Sequence, residues 1–283
     1  MRLALAQTDP APSVAANLGT IRRLVTDAAA RGADLVVFPE ESMLGVESGV
    51  EDRFAEIVAE EWDTFVASLQ ELAHQQRIAI VAGAYEPSDD HRPYNTLVAV
   101  GADGGLLATY RKLHLYDAFS YQESERIRPG DSGAASIEVA GLRIGLSTCY
   151  DLRFPELYRH LADDGAQLVL VPAAWFSGED KVRQWETLLS ARAIENTLWI
   201  AAADTSNDHT VGHSQVRDPL GGLTARVEEG ERLLVAQIDP ERVDEVRRTV
   251  PSLANRRFRS GELADQPLGA DADRQTAAQH SAG

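Results

Sequence analysis

Short apolar runs separated by amphipathic segments are the feature that most constrains how this chain can fold. Residues 35–38 and 168–171 are apolar throughout, which is typical of strands covered on both faces. Residues 14–31 and 60–76 carry apolar side chains at helical spacing instead. Helices that alternate with buried strands predict a layered α/β fold.

Two predicted hairpins indicate that the sheets are mixed. Residues 96–100 and 106–111 form one pair of strands, and residues 213–218 and 223–227 form the other, each joined by a glycine-containing turn. Together with the helical crossovers, these hairpins argue against a purely parallel sheet. No glycine-rich phosphate-binding motif opens a helix, so the sequence does not favour nucleotide binding.

Charge and composition exclude some partners. A formal net charge of −17 over 283 residues argues against nucleic acid or an anionic membrane as the main partner. No apolar run reaches the ~20 residues that a membrane-spanning helix needs. The single cysteine cannot form an internal disulfide, which favours a reducing, cytoplasmic location. We expect one domain over residues 1–260, followed by a mobile polar tail at 261–283.

The single cysteine, Cys149, lies where a predicted strand at 142–148 ends. Pro155 then suits the first turn of a helix, because its missing N–H has no helical partner there in any case. The carboxyl ends of strands are where open α/β sheets place their ligands. A lone cysteine is more often a small buried apolar residue, so this position alone does not identify a nucleophile.

Two further functional groups occupy similar positions. Glu40 follows the strand at 35–38, and Lys112 follows the strand at 106–111. Each could be a solvated surface residue, since Glu and Lys are mostly exposed. Their shared placement with Cys149 at strand ends predicts a common site.

Three motifs make this hypothesis specific: Val37-Phe38-Pro39-Glu40, residues 110–117 around Lys112, and residues 149–157 after the cysteine. With weaker matches at 185–196 and 212–221, the chain resembles the carbon–nitrogen hydrolase (nitrilase) superfamily over about residues 1–260. The resemblance implies an α-β-β-α sandwich, with mixed sheets inside and helices on the outer faces.

The resemblance also implies the roles of four residues. Glu40 would be the general base, Lys112 the stabiliser of the oxyanion, and Cys149 the nucleophile that forms a thioester. Glu123, in Gln-Glu-Ser ahead of a Pro-Gly, would be an assisting glutamate; the alternative is an ordinary loop residue. The family's chemistry requires neither a metal nor an organic cofactor.

Four more residues are expected to surround the substrate. The backbone N–H of Tyr150 would be a second oxyanion donor, and Trp175 and Phe176 would border the pocket. Arg153 would either bind a substrate carboxylate through two hydrogen bonds or brace the turn through an Asp or Glu.

Residues 150–156 are similar to the branch that acts on ω-amides of dicarboxylates, which includes ω-amidase and deaminated-glutathione amidase. One departure leaves the substrate open, because residues 177–184 replace the usual Gly-Pro-Ala-His run before Trp185. Lys181 and Arg183 in this loop would either recruit an acidic substrate or be solvated. An N-carbamoyl amidohydrolase or a nitrilase with the same triad remains an alternative. So does a non-catalytic binding protein.

The remaining predictions concern histidines and assembly. His209 and His213 are spaced like metal ligands but lack nearby cysteines or carboxylates, so we expect a loop residue and a structural one. We expect His114 to brace its loop by hydrogen bonding. The family commonly pairs through the helices after the cysteine strand, which implies a homodimer or larger assembly, with residues 153–161 and 256–259 as candidate contacts.

Overall fold

Two mixed β-sheets packed face to face form the centre of the computed structural model, which describes residues 1–46, 50–119 and 121–257. The strands and helices in chain order are β1 (Arg2–Gln7), α1 (Val14–Ala30), β2 (Leu35–Val37), α2 (Phe54–Gln76), β3 (Ala79–Glu86), β4 (Tyr94–Val100), β5 (Leu106–Arg111), β6 (Asp117–Ala118), β7 (Tyr121–Gln122), β8 (Ala135–Val139), β9 (Leu142–Leu146), α3 (Pro155–Asp163), β10 (Leu168–Ala173), α4 (Lys181–Asn196), β11 (Trp199–Asp204), β12 (Gln215–Arg217), β13 (Leu223–Arg226), β14 (Arg232–Gln237) and α5 (Pro240–Thr249).

The strand order confirms that both sheets are mixed. Within the described residues the first sheet runs β14-β1-β2-β3-β4-β5 and the second runs β13-β12-β11-β10-β9-β8. In the first sheet β1, β2 and β3 are parallel, whereas β14, β4 and β5 are antiparallel to their neighbours. The second sheet repeats this plan, with β9, β10 and β11 parallel at its centre.

The core explains why the inner strands are apolar on both faces. In β1, Leu3 and Leu5 join the cluster between the two sheets, whereas Ala4 and Ala6 join the cluster beneath α1 and α2. Burying each large aliphatic side chain contributes about 1.5 to 3 kcal/mol. Helices α3 and α4 cover the outer face of the second sheet, for example through Leu161. The predicted α-β-β-α sandwich is therefore confirmed.

Helix α2 is longer than predicted. It begins at Phe54 rather than at residue 60, and Phe54 and Val58 are buried on the same face as Phe65. Exposed glutamates such as Glu56 and Glu60 interrupt the apolar run in the sequence, but they lie on the outer face of the helix. The predicted start at residue 60 was therefore wrong.

Other predicted features lie partly outside the described residues. The boundary at 260, the tail at 261–283 and the end of the 256–259 segment are among them. In the part of the chain that the structure describes, no helix is both long and apolar enough to cross a membrane.

Candidate active site

The carboxyl ends of β2, β5 and β9 lead into one cavity. All eight residues that the sequence and the resemblance indicated line this cavity, namely Glu40, Lys112, Glu123, Cys149, Tyr150, Arg153, Trp175 and Phe176. The residues that follow strands of two different sheets therefore line the same cavity.

A glycine of β3 lets the chain bring Glu40 into the cavity. The backbone of Pro39 accepts a hydrogen bond from Gly83 N at 3.0 Å. A Cβ on Gly83 would lie 1.9 Å from the backbone oxygen of Glu40, so no other residue fits at this point of the strand.

Lys112 lies between two carboxylates. Its Nζ donates to Glu40 Oε1 at 2.8 Å and to Glu123 Oε2 at 2.8 Å. All three side chains are buried, with Lys112 only 2% exposed. Burial alone would lower the pKa of Lys112, but the charges of Glu123 and Glu40 outweigh it and hold that pKa well above its usual value. The ammonium is therefore charged at neutral pH.

Both carboxylates have further fixed partners. Asn95 Nδ2 donates to Glu40 Oε1 at 2.7 Å and to Glu123 Oε1 at 3.1 Å. The backbone N–H of Ala174 donates to Glu40 Oε2, and that of Tyr116 donates to Glu123 Oε2, at 2.8 and 2.7 Å. Buried charges need such partners, because isolation from water is otherwise costly. The arrangement holds Glu40, Lys112 and Glu123 in one orientation.

Cys149 starts a 3-10 helix, Cys149–Arg153, and has a left-handed backbone with φ of 46°. Non-glycine residues adopt this conformation at a cost of order 1 to 2 kcal/mol, and such strain collects at functional sites. Burial, followed by the charge of Glu40, raises the pKa of the Cys149 thiol well above its usual value. Cys149 is therefore a neutral thiol at rest and needs a base to become nucleophilic.

Asp151 ties this cysteine turn, residues 147–153, to the end of β5. Its carboxylate is fully buried and accepts hydrogen bonds from Tyr110 Oη at 2.6 Å and from Thr148 N at 2.9 Å. His114 contributes both its backbone N–H, at 3.1 Å, and its Nδ1, at 2.7 Å. The predicted bracing role of His114 is confirmed. Sequence reasoning missed Asp151, although a carboxylate inside an apolar motif was a usable signal.

One wall of the cavity is aromatic and carries two cations. Tyr116, Tyr150, Trp175 and Phe176 line it together with Arg153 and Lys181. Arg153 Nη2 donates to Gln184 Oε1 at 2.7 Å, and its guanidinium lies 4.9 Å from the ring centroid of Trp175. In the described part of the chain no Asp or Glu forms an ion pair with Arg153 within 4.0 Å, so the turn is not braced through a carboxylate there.

Glu41 is a second residue that the sequence analysis missed. It lines the cavity beside Glu40, and Tyr85 Oη donates to its Oε1 at 3.4 Å. Burial, followed by the charges of Glu40 and Glu123, raises the pKa of Glu41 to about 8. This side chain is therefore mainly a neutral acid at pH 7. Nothing in the sequence pattern separates it from a surface glutamate.

Asp204, at the end of β11, supports the aromatic wall. Its Oδ1 accepts the backbone N–H of Trp175 at 2.8 Å. Burial raises the pKa of Asp204 well above its usual value. Among the described residues, no group of three or more His, Cys, Asp or Glu side chains is arranged to hold a metal ion.

Comparison with known proteins identifies the relatives of this chain. The family model described as carbon-nitrogen hydrolase matches residues 2–248. A deaminated glutathione amidase of Escherichia coli O157:H7 is 42% identical over 199 residues, which cover 70% of this chain and 76% of that protein. Omega-amidase NIT2 of Danio rerio is 35% identical, covering 90% of this chain and 94% of that protein.

A solved structure has the same fold. A mutant of the amidase from Nesterenkonia sp. AN1 superimposes with a TM-score of 0.79 at 29% identity, covering 91% of this chain and 94% of that one. In that protein the acetamide moiety of fluoroacetamide is covalently attached to the active-site cysteine.

Proposed function

The chain belongs to the carbon–nitrogen hydrolase family and is an amidase of that family, and on this premise we propose that it cleaves the ω-amide of a small dicarboxylate. The observation that carries the proposal is the Glu40–Lys112–Glu123 network beside Cys149, in a cavity whose wall holds Arg153 with no carboxylate partner among the described residues. The network accounts for the chemistry, and the arginine accounts for the substrate class.

Glu40 is the base in the first half of the proposed reaction. It takes the proton of the Cys149 thiol, which lines the same cavity and whose pKa the Glu40 charge raises, and Sγ attacks the amide carbon. The negative charge that develops on the carbonyl oxygen is stabilised by Lys112 and by the backbone N–H of Tyr150. Glu40 then gives the proton to the leaving nitrogen, the C–N bond breaks, and ammonia departs from a thioester.

Water completes the second half. A carboxylate removes one proton from the water as its oxygen attacks the thioester carbon, and the C–S bond breaks to give the product acid and the thiol. We assign this proton transfer to Glu40, because its charge acts directly on Cys149, the residue that carries the thioester. Glu123 then serves to hold Lys112 in place and keep it charged.

Arg153 and the named relatives support the substrate class. A guanidinium binds a carboxylate through two parallel hydrogen bonds, and Arg153 keeps a buried Nε without a partner in the described structure. The relatives are named for deaminated glutathione and for ω-amides, both of which are carboxylate-bearing amides. An N-carbamoyl amidohydrolase or a nitrilase would use the same triad. A simple nitrile has no carboxylate for this cation to bind, whereas an N-carbamoyl amino acid has one, so the arginine counts against the nitrile alone.

Ammonia release from a panel of compounds tests the proposal. The panel contains 2-oxoglutaramate, glutaramate, short aliphatic amides, an N-carbamoyl amino acid and a nitrile, with Cys149→Ala as the matched control. We expect release from the ω-amides and none from the variant. Turnover of only the nitrile or the carbamoyl compound would refute the substrate class. Deaminated glutathione is assayed separately, through release of the amine cysteinylglycine instead of ammonia.

Assembly and compartment are further proposals. We infer a homodimer or larger assembly of one catalytic domain at 1–260, in which residues 153–161 form part of the contact. Arg256 pairs with Asp163 at the end of α3, and this places the segment around Arg256 beside that surface. Sedimentation analysis that finds only a monomer would contradict the assembly.

A cytoplasmic location follows from the single cysteine, whose free thiol a reducing compartment preserves.

A further inference from the structure

Lys181, the first residue of α4, brings a second cation to the aromatic wall of the cavity. Its Nζ donates to Tyr116 Oη at 3.2 Å and lies 4.1 Å from the ring centroid of Phe119. An ammonium has three donors, and this hydrogen bond uses one of them. The side chain is half-buried, so the other donors are available to a molecule in the cavity.

The other charges of the cavity are already compensated. Glu40 and Glu123 pair with Lys112, and Arg126 pairs with Glu51 at 3.3 Å and donates to Tyr121 Oη. Within the described residues neither Arg153 nor Lys181 has a carboxylate within 4.0 Å. Two cations without a carboxylate partner in the described part of the chain are notable, because the net charge of the chain is −17.

These two cations act on each other. Burial, followed by the positive charge of Arg153, lowers the pKa of Lys181. Like charges that share a partly buried wall repel, and an anion placed between them would remove that repulsion. The wall is therefore electrostatically complementary to a negative group.

The first turn of α4 organises both cations. Lys181 and Gln184 are three residues apart and lie on the same face of the helix. Gln184 holds the guanidinium of Arg153, while Lys181 presents its own charge to the cavity. Arg183, between them, is exposed and pairs with Asp180 at 3.0 Å.

We propose that Lys181 and Arg153 together bind the distal carboxylate of the acyl group, and that Lys181 determines the preference for anionic over neutral amides. This inference rests on the proposed amidase function and assigns a specificity residue to it. Lys181 belongs to residues 177–184, which replace the family's usual Gly-Pro-Ala-His run before Trp185. These residues thus supply one of the two cations, and we refer to Lys181 and Arg153 together as the two-cation anchor.

Kinetics with a matched pair of substrates test the anchor. Glutaramate and pentanamide have the same chain, and a carboxylate in the first replaces the methyl group of the second. In Lys181→Met the ratio of kcat/KM for glutaramate to that for pentanamide should fall about 10-fold, as expected for one lost charge-assisted hydrogen bond. The change should reside in KM for glutaramate. Lys181→Arg should keep most of the ratio, and Arg183→Met, the control on the outer face, should leave it unchanged.

A binding assay separates this inference from the substrate proposal. Glutarate and pentanoate are compared for protection of Cys149 against alkylation by iodoacetamide, which requires no turnover. Stronger protection by glutarate that is lost in Lys181→Met supports the anchor, even if the wild-type protein does not hydrolyse glutaramate. The anchor is overturned if the variant keeps the wild-type preference, if the wild-type protein does not distinguish the two acids, or if both kcat/KM values fall together at constant ratio.

Discussion

Replacing Asp151 with alanine removes the acceptor that ties the cysteine turn to the end of β5. Four hydrogen bonds end on this fully buried carboxylate, from Tyr110 Oη, Thr148 N, His114 N and His114 Nδ1. The His114 ring is partly exposed and can turn to water. The Tyr110 phenol and the backbone N–H groups of Thr148 and His114 cannot all find water as a new partner.

The loss of stability in Asp151→Ala depends on three donors that lose their partner, namely Tyr110 Oη, Thr148 N and His114 N. Each buried polar group that loses its partner costs about 1 to 3 kcal/mol. Summed over the three donors, the free energy of unfolding of Asp151→Ala should therefore fall by roughly 3 to 9 kcal/mol. Because Thr148 N is one of these donors, the backbone directly before Cys149 also loses its anchor, and kcat should fall by about 100-fold where the variant is folded.

Urea unfolding followed by tryptophan fluorescence measures the first effect, as a lower midpoint at constant slope. Tyr110→Phe is the control, because it removes one donor and leaves the carboxylate its other partners. It should cost only about 1 to 1.5 kcal/mol. A loss below about 1 kcal/mol for Asp151→Ala, or an equal loss in the two variants, would refute the assignment of Asp151 as the anchor of this turn.

The other predictions concern carboxylates and the lysine of the cavity. The unfolded chain releases the Glu41 proton near pH 4.5, whereas the folded chain holds it to about pH 8, so stability falls as pH rises between these values. Glu41→Gln should remove that fall, a gain on the order of 5 kcal/mol at pH 9 and none at pH 4; equal gains in thermal unfolding at both pH values would contradict this. Lys112→Met should lower kcat at least ~1,000-fold and lower the free energy of unfolding, because Glu40 and Glu123 lose their shared cation; ammonia release and urea unfolding measure these changes, and unchanged stability would count against the ion network. Glu123→Gln should lower kcat about 100-fold while leaving some alkylation of Cys149; unchanged kcat would make Glu123 an ordinary loop residue.

Sequence reasoning located much of the site because strand ends are visible in a sequence. Glu40, Lys112 and Cys149 each follow an apolar run, and in α/β sheets such positions converge. Glu123 carried no such signal and came only from the resemblance. Asn95 was missed, because it directly precedes the predicted strand at 96–100 and its partners Glu40 and Glu123 are far from it in the chain.

For the fold, too, local sequence patterns were predictable and contacts between distant residues were not. Apolar runs and helical spacing predicted the elements and the layered class, and Pro155 marked the start of α3 as expected. The start of α2 was misplaced, because which charged residues face solvent depends on what the helix packs against. The charge state of Glu41 likewise depends on Glu40, Glu123 and burial, none of which a local pattern contains.

By itself, the sequence of this protein determined the elements, the α/β class and the reactive residue types, because periodicity and functional groups are local properties. Only the tertiary structure decided how they meet. It placed Lys112 between Glu40 and Glu123, set Asp151 beneath the cysteine turn, and brought Lys181 to the wall that holds Arg153. These contacts join residues from different strands and helices, so their distances and charges exist only once both sheets and their helices have packed.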